Sequence, residues 1–312
     1  MNNHPFHLVD KSPWPLTRSM GLITLTSGTV LWFYKSNYNL ILIGSIVILI
    51  TIFQWWRDII RESTYQGKHT QKVMLRIKLG IIIFIISEVI FFLSFFWAFF
   101  HRSLSPSVEI GLQWPPYGIK IFNPISIPIL NTIILLASGV SITWAHNSIL
   151  NKNFSQAIKS ILITVILGVY FSILQIYEYI ESPFCISDSI FGSTFFIGTG
   201  FHGLHVIIGT TFILVIMIRT KNLHFSKSHH IGFEASAWYW HFVDVVWLFL
   251  YITMYWWGRY SFSIKSIISF QLIGLKIKMN NLLNYYSFIY YYSNYFINYI
   301  FTLTSKKKIY YW

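Results

Sequence analysis

Apolar runs, each close to the roughly twenty residues a helix needs to cross a hydrocarbon layer, recur along this whole sequence. They cover residues 16–34, 39–56, 79–101, 128–149, 158–180, 190–218 and 233–257. Strands crossing a membrane would instead alternate apolar and polar residues over about ten positions. Charged residues make up only 11% of the chain, against about 25% in a soluble domain. The expected fold class is therefore all-α, a polytopic membrane protein with seven transmembrane helices. The prolines agree with these limits, since Pro5, Pro13, Pro15, Pro106, Pro115, Pro116, Pro124, Pro128 and Pro183 all lie between spans or in a first turn. There a missing N–H costs a helix least.

Loop charge sets the expected orientation. Lys and Arg crowd the loops on the N-terminal side, with Arg57, Arg61, Lys68, Lys72, Arg76 and Lys78 in one of them. The opposite loops up to Gly258 hold only Lys35, Arg102 and Lys120. The positive-inside rule places the N-terminus on the side where insertion begins, the cytoplasm in a bacterium or the matrix in a mitochondrion. The opening MNNHPFHLVDKSPWP lacks the charged-then-apolar layout of a cleaved leader, so insertion as made is expected. A net charge of +13 would suit nucleic acid in a soluble chain; here it is loop charge, and no nucleic-acid partner is expected. The single cysteine, Cys185, builds neither a disulfide framework nor a thiolate metal site. Residues 259–312 change character to a Tyr/Asn/Ile/Lys-rich tail without a single acid. A possible eighth span at 282–304 is interrupted by Asn284, Asn294 and Asn298, and the tail is expected to carry no function.

Inside the spans, ionisable groups are few. Glu88 stands in SEVIFFLSFFWAFF, ten to twelve residues beyond Lys78 and Arg76. At 1.5 Å per residue that is about 15–18 Å along a helix, near mid-membrane. An acid there costs about 2.5–3.5 kcal/mol on insertion scales. It should therefore face protein, water or a polar partner, either as a proton-relay group or as a carboxyl donating one interhelical hydrogen bond. Glu178, His202, His205, Glu234, His241 and Asp244 are the further candidates. His202 and His205 share one helix face, and His241 and Asp244 another. Histidines on one turn cannot easily clamp a haem from two sides, so polar contacts between helices are expected of all these groups and no metal is assigned to them. Gly198-Thr199-Gly200-Phe201-His202-Gly203 matches GxGxxG. It lies within an apolar span rather than after a strand, which excludes a dinucleotide fingerprint. Close helix approach is the expected use of these glycines.

The loop reading QWWRDIIRESTYQGKHTQK places Trp55 and Trp56 at the interface, followed by Arg57, Asp58, Arg61, Glu62 and His69. Trp anchors at headgroup depth and Arg takes phosphate bidentately. The pattern fits a lipid-headgroup site or ordinary snorkelling of long side chains.

In order along the chain, QWWRDIIRESTYQG, FFWAFFH, the WPP of residues 114–116, LNTIILLASGVSITWAH, STFFIGTGFHGLHVIIG and EASAWYWHFVDVVWLFLYITMYWWG resemble cytochrome c oxidase subunit III. The resemblance covers about residues 5–258. It implies a two-helix bundle (1–66) and a five-helix bundle (67–258) separated by a V-shaped lipid cleft. It implies a core subunit of the enzyme that passes electrons from cytochrome c to oxygen, forming water and pumping protons. The partners would be oxidase subunits I and II, which hold the haems and coppers; this chain would hold none and have no catalytic residue. Phospholipid would sit at Trp55, Trp56, Arg61, Glu62, His69 and Arg219, and Glu88 would sustain proton uptake. The location implied is the mitochondrial inner membrane, multi-pass, with the N-terminus in the matrix. The segment from Arg259 has no counterpart in the family.

Overall fold

A computed structural model of the chain describes residues 6–259 and 262–263. The candidate eighth span and the remainder of the basic tail lie outside the described residues.

Among the described residues seven long α-helices run in order: α1 (Trp14–Lys35), α2 (Asn39–Thr64), α3 (Gln71–Leu104), α4 (Ile127–Leu150), α5 (Phe154–Ile180), α6 (Ile190–Lys221) and α7 (Ile231–Leu250). Each contains or nearly coincides with one apolar run. Pro15 and Pro128 fall in the first turns of α1 and α4. The side chain of Asn153 caps α5 by accepting the Gln156 N–H at 3.2 Å. α7 passes into a π turn over Tyr251–Trp256.

Two differences from the sequence reading concern helix limits. The segment taken as a loop after Trp56 is helical to Thr64, and α3 starts at Gln71, well before the apolar run at 79. Hydropathy ends where lipid ends, but Arg, Glu and Gln are good helix formers and continue the backbone ladder into water. The other concerns β structure. Gln113–Trp114 pairs antiparallel with Phe262–Ser263, a two-residue ladder that the all-α reading did not foresee.

Five helices, α2 to α6, are long and apolar enough to cross a membrane. α1 is diluted by hydroxyl residues, which satisfy themselves within the helix. Thr24 donates to the Gly21 carbonyl at 2.8 Å and Ser27 to that of Ile23 at 2.7 Å. α7 carries Glu234, His241 and Asp244.

The described residues form two compact units. The first gathers residues up to Phe95 with Asn123–Ser182 and Ile197–Tyr251. Within it α1 pairs with α2, and α4 with α5 and α7. The α1–α2 approach is set by glycine: a Cβ on Gly28 would lie 2.7 Å from the Ile41 nitrogen, and one on Gly44 equally close to that of Leu25. Only a residue without a side chain allows backbones that near. Elsewhere in this unit Trp240 of α7 is fully buried and donates its indole N–H to Ser138 Oγ of α4 at 2.8 Å. Its ring fills space left by Gly168 of α5 and Gly209 of α6. Trp247 repeats the arrangement two turns on, donating to Thr132 Oγ1 at 3.0 Å and meeting Phe171 edge-to-face.

These glycines are not those of the GxGxxG match. A Cβ on Gly203 would meet nothing within 4 Å, and one on Gly200 only the Tyr179 hydroxyl at 3.9 Å. Further along α6, a Cβ on Gly209 would lie 2.9 Å from the Trp240 ring.

The second unit comprises Phe96–Phe122, Pro183–Phe196 and the described residues from Ile252 onward. It is an aromatic cluster. Trp114 of the WPP motif is fully buried and meets Phe99 and Phe191 at 5.3 and 5.6 Å between ring centroids. Phe195 packs edge-to-face on Phe184 and Tyr255. Edge-to-face geometry sets the positive rim of one ring against the negative face of another.

Candidate functional site

The mid-helix acid has a partner. Glu88 Oε2 of α3 lies 3.0 Å from His205 Nε2 of α6. The other imidazole nitrogen, Nδ1, lies 2.7 Å from the Phe201 carbonyl oxygen. A carbonyl only accepts, so Nδ1 carries a proton and donates. The Nε2 contact then needs one more proton, held either by the carboxyl or by the ring. The pair thus shares a single proton between two heteroatoms. Aromatic rings surround it: Phe92 meets the imidazole edge at 5.1 Å, and Tyr239 and Phe242 of α7 flank it at 6.2 and 6.1 Å. His205 is nearly buried, while 23% of the Glu88 side chain is exposed. The acid therefore has one face toward protein and one outward.

Sequence spacing put His202 beside His205, but their rings go different ways. His202 is buried, its Nε2 3.1 Å from the Val243 carbonyl of α7. His205 spends both ring nitrogens on hydrogen bonds, whereas Nδ1 of His202 is buried without a hydrogen-bond partner. His241 and Asp244 do stay together, both turned toward Gly139 of α4. Glu178 is fully buried.

A second group gathers where α2 and α6 end. Trp56 faces Phe212 of α6 at 6.5 Å. Trp55 does not join it, but lies under the Arg18 guanidinium at 5.9 Å. Arg61 is mostly exposed, 3.9 Å from Asp58. Glu62 pairs with His7 at 3.1 Å, and the His7 ring meets that of His69 at 5.5 Å. Arg219 reaches Thr64 Oγ1 at 3.4 Å and lies over the Phe225 ring, while its Nε is buried without a hydrogen-bond partner. Tyr65 and His224 close the group at 3.3 Å. Burial holds His69 below the usual histidine range, helped by the electrostatic influence of His7, His229 and Arg219. Burial and then Arg219 do the same to His224. Both imidazoles are thus neutral beside a fixed guanidinium. Of the six residues read together from sequence, Trp55 contacts Arg18 and Arg61 contacts Asp58, while Trp56 contacts Phe212 and Arg219 contacts Thr64 and Phe225.

Glu234 lies in a third group. Its carboxylate takes the Lys78 ammonium at 2.6 Å and faces His230 Nε2 at 3.3 Å. His146, at the end of α4, brings a third potential metal-ligand atom, all within 4.8 Å of one another. Sequence reading missed His7, His224 and His229, which lie in connecting segments, and His146 and His230. The only local signal was the position of His146 close to the end of a span.

Helices with few titratable groups, those few engaged by neighbouring helices, define a multi-pass membrane protein. Residues 4–259 match the family model described as cytochrome c oxidase subunit III. Curated relatives include cytochrome c oxidase subunit 3 of Drosophila melanogaster, 63% identical over 82% of this chain and 98% of that protein. The proteins of the same name from Locusta migratoria and Patiria pectinifera are 62% and 58% identical over the same share of this chain. The chain belongs to the cytochrome c oxidase subunit III family and is a subunit of that respiratory oxidase.

Proposed function

We propose that this chain is a non-redox core subunit that sustains proton delivery to the oxidase and holds phospholipid beside subunits I and II. The haems and coppers that move electrons from cytochrome c to oxygen belong to those partners. The observation that carries the reading is the Glu88–His205 contact. One proton between two acceptors of different helices can be passed on without a lone charge forming in a low-dielectric layer. The partly exposed face of Glu88 supplies the route by which that proton exchanges.

The lipid part rests on Arg219. Its buried, unpartnered Nε, with Thr64 and neutral imidazoles around it, leaves a guanidinium suited to a phosphate. Trp56 on Phe212 supplies an apolar wall for acyl chains. The pairing of α1 with α2 supports a two-helix bundle (1–66) separate from a five-helix bundle (67–258), with the lipid cleft between them. The excess of basic residues on the N-terminal side favours a matrix N-terminus in the mitochondrial inner membrane.

The test is Glu88→Gln in the assembled oxidase, with turnover followed to inactivation. Glutamine keeps shape and a hydrogen bond but cannot titrate. The expected result is an unchanged initial rate with fewer turnovers before inactivation and a lower proton yield. An unchanged turnover lifetime and proton yield would reduce the pair to a structural hydrogen bond.

A further inference from the structure

The group around Glu234 holds one nitrogen, His146 Nε2, that no hydrogen bond satisfies. His230 Nδ1 lies 3.0 Å from the Ser226 carbonyl oxygen. It must donate there, so a neutral His230 presents the bare lone pair of Nε2. That lone pair faces Glu234 Oε1 at 3.3 Å. An ionised carboxylate oxygen is also an acceptor. Two acceptors in contact call for a positive species between them, either a proton, as in the Glu88–His205 pair, or a metal ion that would also engage a third ligand. The third member, His146 Nε2, is buried and has no hydrogen-bond partner. The His146 ring is stacked on Phe233 at 5.6 Å and lies 5.5 Å from the His230 ring.

We propose that His146, His230 and Glu234 bind a divalent transition metal of the zinc class. Two imidazole nitrogens and one carboxylate oxygen, with water as fourth ligand, are a donor set for Zn²⁺; Mg²⁺ and Ca²⁺ require oxygen cages. The ligand atoms lie within 4.8 Å of one another. In a tetrahedral zinc site they would be roughly 3.3 Å apart, a difference that side-chain rotation closes. The outer shell is already built. The Nδ1–H of His230 on a backbone carbonyl fixes the tautomer that turns Nε2 toward the ion. Ser226 is itself held in a turn by reciprocal backbone hydrogen bonds with His229.

Lys78 is the resident competitor. Its ammonium neutralises Glu234 Oε2 at 2.6 Å from the end of a flexible, partly exposed stem. A divalent ion on the same carboxylate repels it, and Lys78 swings into water as the metal enters. The site thus exchanges a monovalent side-chain cation for a divalent one. This does not depend on the role of Glu88 or on bound lipid.

The test uses the purified oxidase complex carrying this chain, titrated with Zn²⁺ and then dialysed. Zinc is counted by atomic absorption, and its ligands are read from the zinc K-edge. The wild-type complex should hold one zinc more than the complex carrying His146→Asn, with two imidazoles in its first shell. His146→Asn should weaken that binding at least about tenfold, the scale of losing one ligand or its support. Lys78→Met should tighten it about tenfold, and Mg²⁺ should not compete. Equal zinc content in wild type and His146→Asn would overturn the proposal. So would unchanged affinity in Lys78→Met, which decides the matter if His146→Asn fails to assemble.

Discussion

At the scale of single residues, several polar groups within the spans find a partner on another helix. Trp240 shows this for a neutral group, with its indole N–H on Ser138 and its ring in the space left by two glycines. Trp240→Ala removes both and should cost about 3–5 kcal/mol, read as an earlier thermal release of the chain from the oxidase. The imidazoles near Arg219 make the other residue-scale prediction. The folded state holds His69 and His224 below the ordinary histidine value, so below about pH 6.5 the unfolded chain binds more protons than the folded one. Their contribution is complete above the ordinary value and is lost as pH falls from there toward the depressed one. Thermal release should therefore come earlier at pH 5.5 than at pH 7.5. The shift should shrink in a His69→Gln, His224→Gln double variant, and an equal shift in both would count against this electrostatic account.

At the scale of elements, α1 and α2 are joined by backbone proximity and not by interlocking large side chains. Gly28→Leu or Gly44→Leu forces side-chain atoms against a facing main chain and should cost at least about 1–3 kcal/mol. Gly80→Ala, with nothing within 4 Å of the new Cβ, should be neutral or slightly stabilising. Thermal release of the chain measures all three, and equal behaviour would refute close packing at this hairpin. The helices themselves were legible because hydropathy reports lipid contact directly and the prolines mark their beginnings. The limits of α2 and α3 were not, because a helix leaves lipid without ending, as Arg57–Thr64 does. The Glu88 environment was half legible. The expense of a mid-membrane acid demanded a partner, but periodicity could not say that His205 would turn to α3 while His202 turned to α7. Helical spacing fixes a shared face; the rotamer and the neighbour decide the contact. The Arg219 neighbourhood was least legible, since His7, His69 and His224 come from three separate connecting segments and meet only in the folded chain.

At the scale of the whole molecule, the chain belongs to a respiratory oxidase subunit family, and the Glu88–His205 and Arg219 groups are where the proposed proton and lipid roles would act. The family's haems and coppers are expected in its partner subunits, not in this chain. An assembly depleted of this chain should therefore keep its redox centres and lose endurance. The decisive measurement is oxygen consumption by the oxidase with and without this chain, taken with haem and copper spectra and followed from the first turnovers to inactivation. The account predicts unaltered spectra, an initial rate within about twofold of the intact enzyme and a shortened life under turnover. Loss of a haem or copper signal on removing the chain, or the same endurance without it, would contradict it.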